Sequence, residues 1–427
     1  ITMSGILRYL RSAVAQPGVV RRLALLLAAT LLFGSLSACE APVKLYQMEY
    51  SGYFDTVSQF TMPAQSEAAF MDQANYFEER LAYYHDLYTG FEAVDDVKNV
   101  WLLNQEAGEN PVEVSRDLMD MLVYAQGLMD ETNGAFSITL GTVTTLWREE
   151  QVPEQDVLDE ALEHTDPEDL VLNPERLTVY FTDPELQLDV GAVAKGFAAE
   201  RIASELQARQ VDSALVNLGG NVRTIGQKVL ATTTPWMIGI QNPIRRLDTA
   251  LRNYQDVAET DESEALTRPH LTYPTGETTA IAELPQDTET PADTEQPSPS
   301  DPSETVDGPN LDQDYLVILD SADSSLVTSG IYERFFIENG NLYHHIVDPQ
   351  TGMPSQRFQS VSVITRHSGL ADGMATALFN MSLEEGMALV NSREHMEAVW
   401  IDMSGEMNQS YGFEALVHTE VSTTTEP

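Results

Sequence analysis

Residues 187–221 read QLDVGAVAKGFAAERIASELQARQVDSALVNLGGN, and two kinds of periodicity alternate within them. Gln187 to Val190 predicts a short strand, closed by a glycine that permits a tight turn. Val193 to Gln210 predicts an amphipathic helix with Phe197, Ile202 and Leu206 on its apolar side. Ser213 to Leu218 predicts a second strand that runs into the Gly219-Gly220 turn. A strand, turn, helix, strand order with a glycine pair at its end is the seed of a mixed α and β fold.

The same signals extend outward on both sides. Phe70, Ala74, Phe77, Leu81 and Tyr84 fall on one helical face, so Phe70 to Tyr88 predicts a helix, and Leu118 to Met129 repeats the pattern. Tyr315-Leu-Val-Ile-Leu predicts a strand, as does Val361 to Thr365, which leads into a helix around Ala371. No regular β-α-β rhythm runs through the chain, so the fold class expected is α+β rather than a doubly wound sheet. Between 246 and 314 the composition changes to 17 acidic residues, 3 basic residues and 8 prolines. Such a segment buries too little apolar surface to offset its ordering entropy and predicts a disordered acidic insertion. The expected organisation is therefore an N-terminal address over 1–39, a domain over 46–245, the insertion over 246–314, and the rest of the same domain over 315–420. The polar tail from Ser422 to Pro427 predicts a frayed end.

The chain has 427 residues with 23 Lys and Arg against 67 Asp and Glu, a formal net charge of -44. That field repels polyanions and argues against nucleic acid as a partner. A lone cysteine, Cys39, excludes an intramolecular disulfide and a Cys-rich zinc or iron–sulfur site. Arg8, Arg11, Arg21 and Arg22 precede an apolar run from Leu23 to Leu36, which is a charged n-region and an h-region too short for a stable membrane anchor. Leu36-Ser-Ala-Cys39 then resembles a bacterial lipobox, with lipidation expected at Cys39. A plain signal peptide with an incidental cysteine is the other reading. The recorded sequence opens on Ile1, and Met3 is a candidate start.

Four segments carry polar residues in patterns that suit chemistry. In Leu188-Asp189-Val190-Gly191-Ala192-Val193-Ala194-Lys195-Gly196 a helix N-terminus and Lys195 together suit an anion. It is not a phosphate-binding Walker loop, and a plain helix start with a solvated lysine fits equally. The Asn217-Leu-Gly-Gly-Asn221 turn permits close approach of a ligand or is an ordinary hairpin turn. Neighbours on a strand face opposite ways, so only one of His344 and His345 can enter a given site, the alternative being structural histidines. Asp372 and Thr376 are four apart, placing a carboxylate and a hydroxyl on one helical face, and oxygen ligands suit Mg²⁺. Asp372 as a simple helix cap is the competing reading.

Taken in order, Gly134-Ala135-Phe136-Ser137, Asp189 to Gly196, Asn217 to Asn221, Thr328 to Tyr332, His344 to Pro354 and Ala371 to Ala377 resemble the ApbE family of flavin transferases. The resemblance covers nearly all of the chain between the N-terminal address and the tail, outside the acidic insertion. It implies a T-fold-like α+β architecture of mixed antiparallel sheets with packed helices. It also implies an FAD:protein FMN transferase that binds FAD with Mg²⁺, joins FMN through a phosphoester to a Ser or Thr of a target flavoprotein, and releases AMP. Flavinylated subunits of membrane redox pumps or extracytosolic flavoproteins would be the acceptors, reached by an enzyme lipid-anchored outside the cytoplasm. By the family pattern Phe54, Ala135, Phe136, Ser137, Asp189, Lys195 and Ile346 contact FAD. Ala192, Ala375, Asp372 and Thr376 hold the metal, the alanines through backbone oxygens, and His345 serves catalysis as base or orienter. Ser137 stands where the family often has Asp, and Phe54-Asp-Thr56 where Met-Gly-Thr is common. An FAD pyrophosphatase using the same residues, or a lipid-anchored flavin-binding protein, are the alternatives.

Overall fold

The computed structural model describes residues 42–260 and 314–419. The lipobox with Cys39, most of the acidic insertion and the tail lie outside the described residues.

An eight-stranded antiparallel sheet forms the frame, in the spatial order Lys44–Tyr53, Thr56–Ala64, Ala214–Leu218, Asn221–Ile225, Ser325–Gly330, Phe358–Thr365, Glu397–Asp402 and Met407–Gln409. The strand Phe358–Thr365 is buried at every position, which alternation explains. Val361 and Val363 enter the main core under the helices, while Ile364 enters a second core on the other face. Its neighbours keep the same parity: Val327 and Ala398 point to the helices, Leu326 and Val399 away. The second core is covered by the antiparallel pair Trp236–Gln241 and Tyr315–Ser321, so three layers stack with the large sheet in the middle.

On the helical side, Glu67–Tyr88 is capped by Ser66, whose hydroxyl accepts from Ala69 N at 3.2 Å, and buries Phe70, Ala74, Phe77, Leu81 and Tyr84 as the periodicity predicts. Arg116–Glu131 follows the same rule with Ser115 as cap. Ala194–Ala208 and Ser368–Asn380 lie against each other, and Gly196 is the reason they can. A Cβ there would sit 2.4 Å from Ser368 O and 2.5 Å from the Asp372 Cβ.

Three sequence expectations change. Residues 187–190 form no ladder strand. Gly141 N donates to Gln187 O and Asp189 N to Ile138 O, both at 2.9 Å. The Asn104 amide holds Leu188 at both backbone groups, at 2.8 and 3.0 Å, so a side chain replaces a neighbouring strand. The insertion does not begin unstructured at 246, because Pro243–Thr260 is helical and buries Leu247. The helix around Ala371 starts at Ser368 with His367 as its cap, which leaves Asp372 in the second turn and removes the reading of Asp372 as a cap. Among the described residues no helix is long and apolar enough to cross a membrane.

Candidate active site

Asp372 is 5% exposed, and its Oδ2 accepts from Gly196 N at 2.8 Å. Burial pushes its carboxyl up from the usual range, while Lys195, the Gly196 N–H and the Asn221 side chain pull it back towards the ionised form. Thr376 follows one turn later in the same helix, half-buried, and Ala375 between them is fully buried. Lys195 lies in the first turn of its helix and donates from Nζ to the Gly191 carbonyl at 3.4 Å. Ala192 stands half-buried in the 191–193 turn just before it. The two distant segments that supply the expected metal and phosphate groups therefore meet. The Asn221 side chain is buried beside Asp372 and turns its amide towards that carboxylate.

Asp189 faces the same loop. Its Oδ1 accepts from Gly191 N at 2.9 Å and its Oδ2 pairs with Arg148 Nη2 at 2.8 Å. Arg148 in turn lies over the Phe91 ring, 4.2 Å from its centroid.

The two histidines separate as strand geometry requires. His344 ends the strand Asn341–His344 buried, with Nε2 donating to Ser355 O at 2.7 Å and Nδ1 accepting from Ile346 N at 3.2 Å. Burial lowers its pKa to about 4, so it is a neutral structural residue. His345 turns the other way and is exposed. Its Nδ1 lies 3.2 Å from the Arg334 carbonyl. A carbonyl only accepts, so Nδ1 carries the proton and Nε2 keeps its lone pair. Surrounding protein, then Arg334 and His344, and last Lys195, hold this ring well below the usual pKa of 6.5. Lys195 thus acts electrostatically on both His345 and Asp372.

The remaining expected contacts divide. Phe54 occupies the turn between the first two strands with φ +52; its N–H donates to His85 Nδ1 at 3.2 Å and its ring meets the His85 edge at 5.5 Å. That turn is held to the glycine pair: Gly219 N donates to Val57 O at 3.3 Å, and a Cβ on Gly219, at φ +58, would fall 2.3 Å from Thr56 Oγ1. Ala135 is half-buried, and Ser137 shares its hydroxyl with Thr139 Oγ1 at 2.9 Å. The Phe136 ring is 0% exposed and belongs to the core, so the expected flavin contact at this position is not made by its side chain. Ile346 is also buried, and both its backbone groups are already bonded, to His344 and Ser355, so only apolar contact remains to it.

Sequence reading missed Asn380, the last residue of the Asp372 helix. Its Nδ2 donates to Ala135 O and Val347 O, each at 3.1 Å, tying the 135–137 segment to the one after His345. It also missed Arg148, Glu200 and Arg223, whose partners come from other elements and leave no local spacing to read.

Among the described residues no group of three or more His, Cys, Asp or Glu side chains could hold a metal. The donors here are one carboxylate, one hydroxyl and backbone oxygens, which are hard ligands too few for a complete shell. They fit a cation that shares its remaining positions with an anionic substrate.

The ApbE family model matches residues 54–267 and 296–400. The chain belongs to the ApbE family. Among ApbE relatives, the FAD:protein FMN transferase of Klebsiella pneumoniae (strain 342) is 29% identical over 323 residues, spanning 74% of this chain and 78% of its own. That of Treponema pallidum (strain Nichols) is 30% identical over 326 residues, spanning 73% and 72%. Among solved structures, the ApbE protein of Thermotoga maritima superposes with a TM-score of 0.65 at 20% identity, covering 88% of this chain and 100% of that one. The flavin transferase ApbE from Vibrio cholerae gives 0.62 at 21% identity with the same coverage. These two show that the α+β fold is the ApbE fold.

Proposed function

We propose that the protein is an FAD:protein FMN transferase. The acceptor hydroxyl of a Ser or Thr attacks the FMN-side phosphorus of FAD, the bond to the AMP oxygen breaks, and AMP leaves. The observation that carries this reading is the junction of Asp372 with the turn of Gly196, which sets a buried carboxylate beside a backbone donor, a lysine and a buried amide.

The chain is strongly acidic and FAD is a pyrophosphate dianion, so positive charge must be concentrated locally. Lys195 supplies one such charge, in the first turn of its helix. Asp372, Thr376 and the backbone oxygens of Ala192 and Ala375 are the groups that would hold Mg²⁺. A cation held by these groups would stabilise negative charge developing on the phosphates. His345 receives the acceptor's proton at Nε2, because Nδ1 is committed to Arg334 and the ring is held neutral. Phosphoryl transfer asks for little else beyond positioning and electrostatics.

The lipobox supports lipidation at Cys39, placing the enzyme on the outer face of the membrane beside membrane redox-pump subunits or extracytosolic flavoproteins. Loss of labelling by a fatty-acid analogue in Cys39→Ser tests that part.

For the reaction, the protein is incubated with FAD, Mg²⁺ and an acceptor flavoprotein. A fluorescent acceptor band in a denaturing gel, with AMP released one for one, is the expected result. Free FMN with AMP and no band would make the protein a pyrophosphatase. FAD retained without turnover would make it a binding protein.

A further inference from the structure

A second set of contacts repeats the Asp372 junction one helical turn away. In the first set, the helix Ala194–Ala208 contributes Gly196, the helix Ser368–Asn380 contributes Asp372, and the strand Asn221–Ile225 contributes Asn221. In the second, the same three elements contribute Glu200, Ser368 and Arg223. Glu200 is four residues after Gly196, Ser368 four before Asp372, and Arg223 two after Asn221, so each lies on the same face as its counterpart. Glu200 Oε2 accepts from Ser368 N at 2.8 Å and from Arg223 Nε at 3.0 Å, and its Oε1 lies 3.4 Å from Arg223 Nη2. The pair is nearly enclosed, with side chains 7% exposed for Arg223 and 14% for Glu200. Arg223 Nη1 also donates to the Thr224 carbonyl.

Ser368 N is one of the helix's first-turn donors, which have no partner inside the helix. Asn380 anchors the far end of this helix, and the Gly196–Asp372 bond is one tie between it and the neighbouring helix. A second tie, four residues along the same face, fixes its rotation and its height. Arg223 balances the Glu200 charge, so the second tier adds geometry rather than net field near Asp372.

We infer that Glu200 is a positioning residue that sets the affinity of the cation site by fixing the helix that carries Asp372. The inference rests on the reading of Asp372 as a cation ligand. It is tested on the full chain by the Mg²⁺ concentration that half-saturates quenching of FAD fluorescence, without acceptor, alongside thermal unfolding without metal. Glu200→Gln/Arg223→Met keeps an acceptor oxygen for Ser368 N and should stay within about twofold of the wild type, as the removed charges cancel. Glu200→Leu/Arg223→Met removes that acceptor and should need about 10–100-fold more Mg²⁺, the usual effect of losing an outer-shell partner. Equal Mg²⁺ dependence in these two double variants overturns the inference. Should the Leu variant fail to fold, Glu200→Asp, too short to reach both partners, carries the same expectation and the same overturning result. Asp372→Asn should show no Mg²⁺-dependent quenching. If it quenches like the wild type, the cation site falls and the inference falls with it. If Asp372→Asn is silent while the Leu variant behaves as wild type, only the role of Glu200 falls.

Discussion

Gly196 N donates to Asp372 Oδ2 at 2.8 Å across 176 residues of sequence, and the absence of a side chain on Gly196 makes that bond possible. The backbone of one helix is thereby placed directly against the carboxylate of another, in an interior where a buried charge needs every donor it can find. Gly196→Ala should lower stability by about 1–3 kcal/mol through overpacking. It should also weaken Mg²⁺-dependent flavinylation more than the stability loss accounts for. Thermal unfolding and acceptor labelling on the same preparation check both.

His345 can be separated from binding. Replacing it with Asn should cut the transfer rate by about 10²–10⁴-fold, the usual share of a general base. FAD affinity, followed by fluorescence, should hardly change. The pH profile has a defined sign. A base must be neutral, and its surroundings hold this ring well below 6.5. The wild-type rate should therefore persist as pH falls past 6.5 and drop only when the lowered pKa is crossed.

Asn380 offers a test of the flavin side. Asn380→Leu leaves the Ala135 and Val347 carbonyls without their shared donor. About 1–3 kcal/mol of stability should be lost, measured by urea unfolding. The FAD concentration at half-saturation should rise, because the 135–137 segment is no longer tied to the His345 segment.

His164 and Asp183 pair at 2.7 Å, beside the Thr165 carbonyl that accepts from Thr139. The Asp183 hydrogen bond raises the His164 pKa above 6.5. Burial pushes the Asp183 carboxyl up, but the Glu185 N–H and His164 outweigh it and hold the group below 3.8. A raised histidine stabilises the fold below 6.5 and loses that contribution as pH rises through its folded value. A depressed aspartate stabilises above 3.8 and loses it as pH falls through its own. The pair is strongest between those limits. His164→Gln should thus lower the thermal midpoint more at pH 5.5 than at pH 8.5. Both partners are partly exposed, so the difference should be small and should shrink in high salt.

Placements that follow from spacing were legible in the sequence. Asp372 and Thr376 share a helical face, His345 opposes His344, and Lys195 opens a helix, all by local periodicity. The same periodicity placed the helices of Phe70 and Leu118. Roles created by tertiary register were not legible: Glu200 acquires its meaning only when Ser368 and Arg223 arrive beside it. Phe136 shows the opposite error, an aromatic in a ligand-like motif that the core claims. The helix Pro243–Thr260 was lost in the average composition of an acidic window, although Ile244, Leu247 and Leu251 keep helical spacing. Residues 187–190 failed as a strand because no pattern announces that Asn104 will stand in for a partner strand.

Gln241 and Tyr315 are rung partners of one antiparallel pair, and Asn242 N donates to the Asp314 carbonyl at 2.9 Å. The polypeptide leaves this pair into the helix Pro243–Thr260 and returns to it at Tyr315. Closure entropy grows only with the logarithm of loop length. A fluorescent or affinity module spliced beyond Thr260 should therefore lengthen this excursion at little cost to folding.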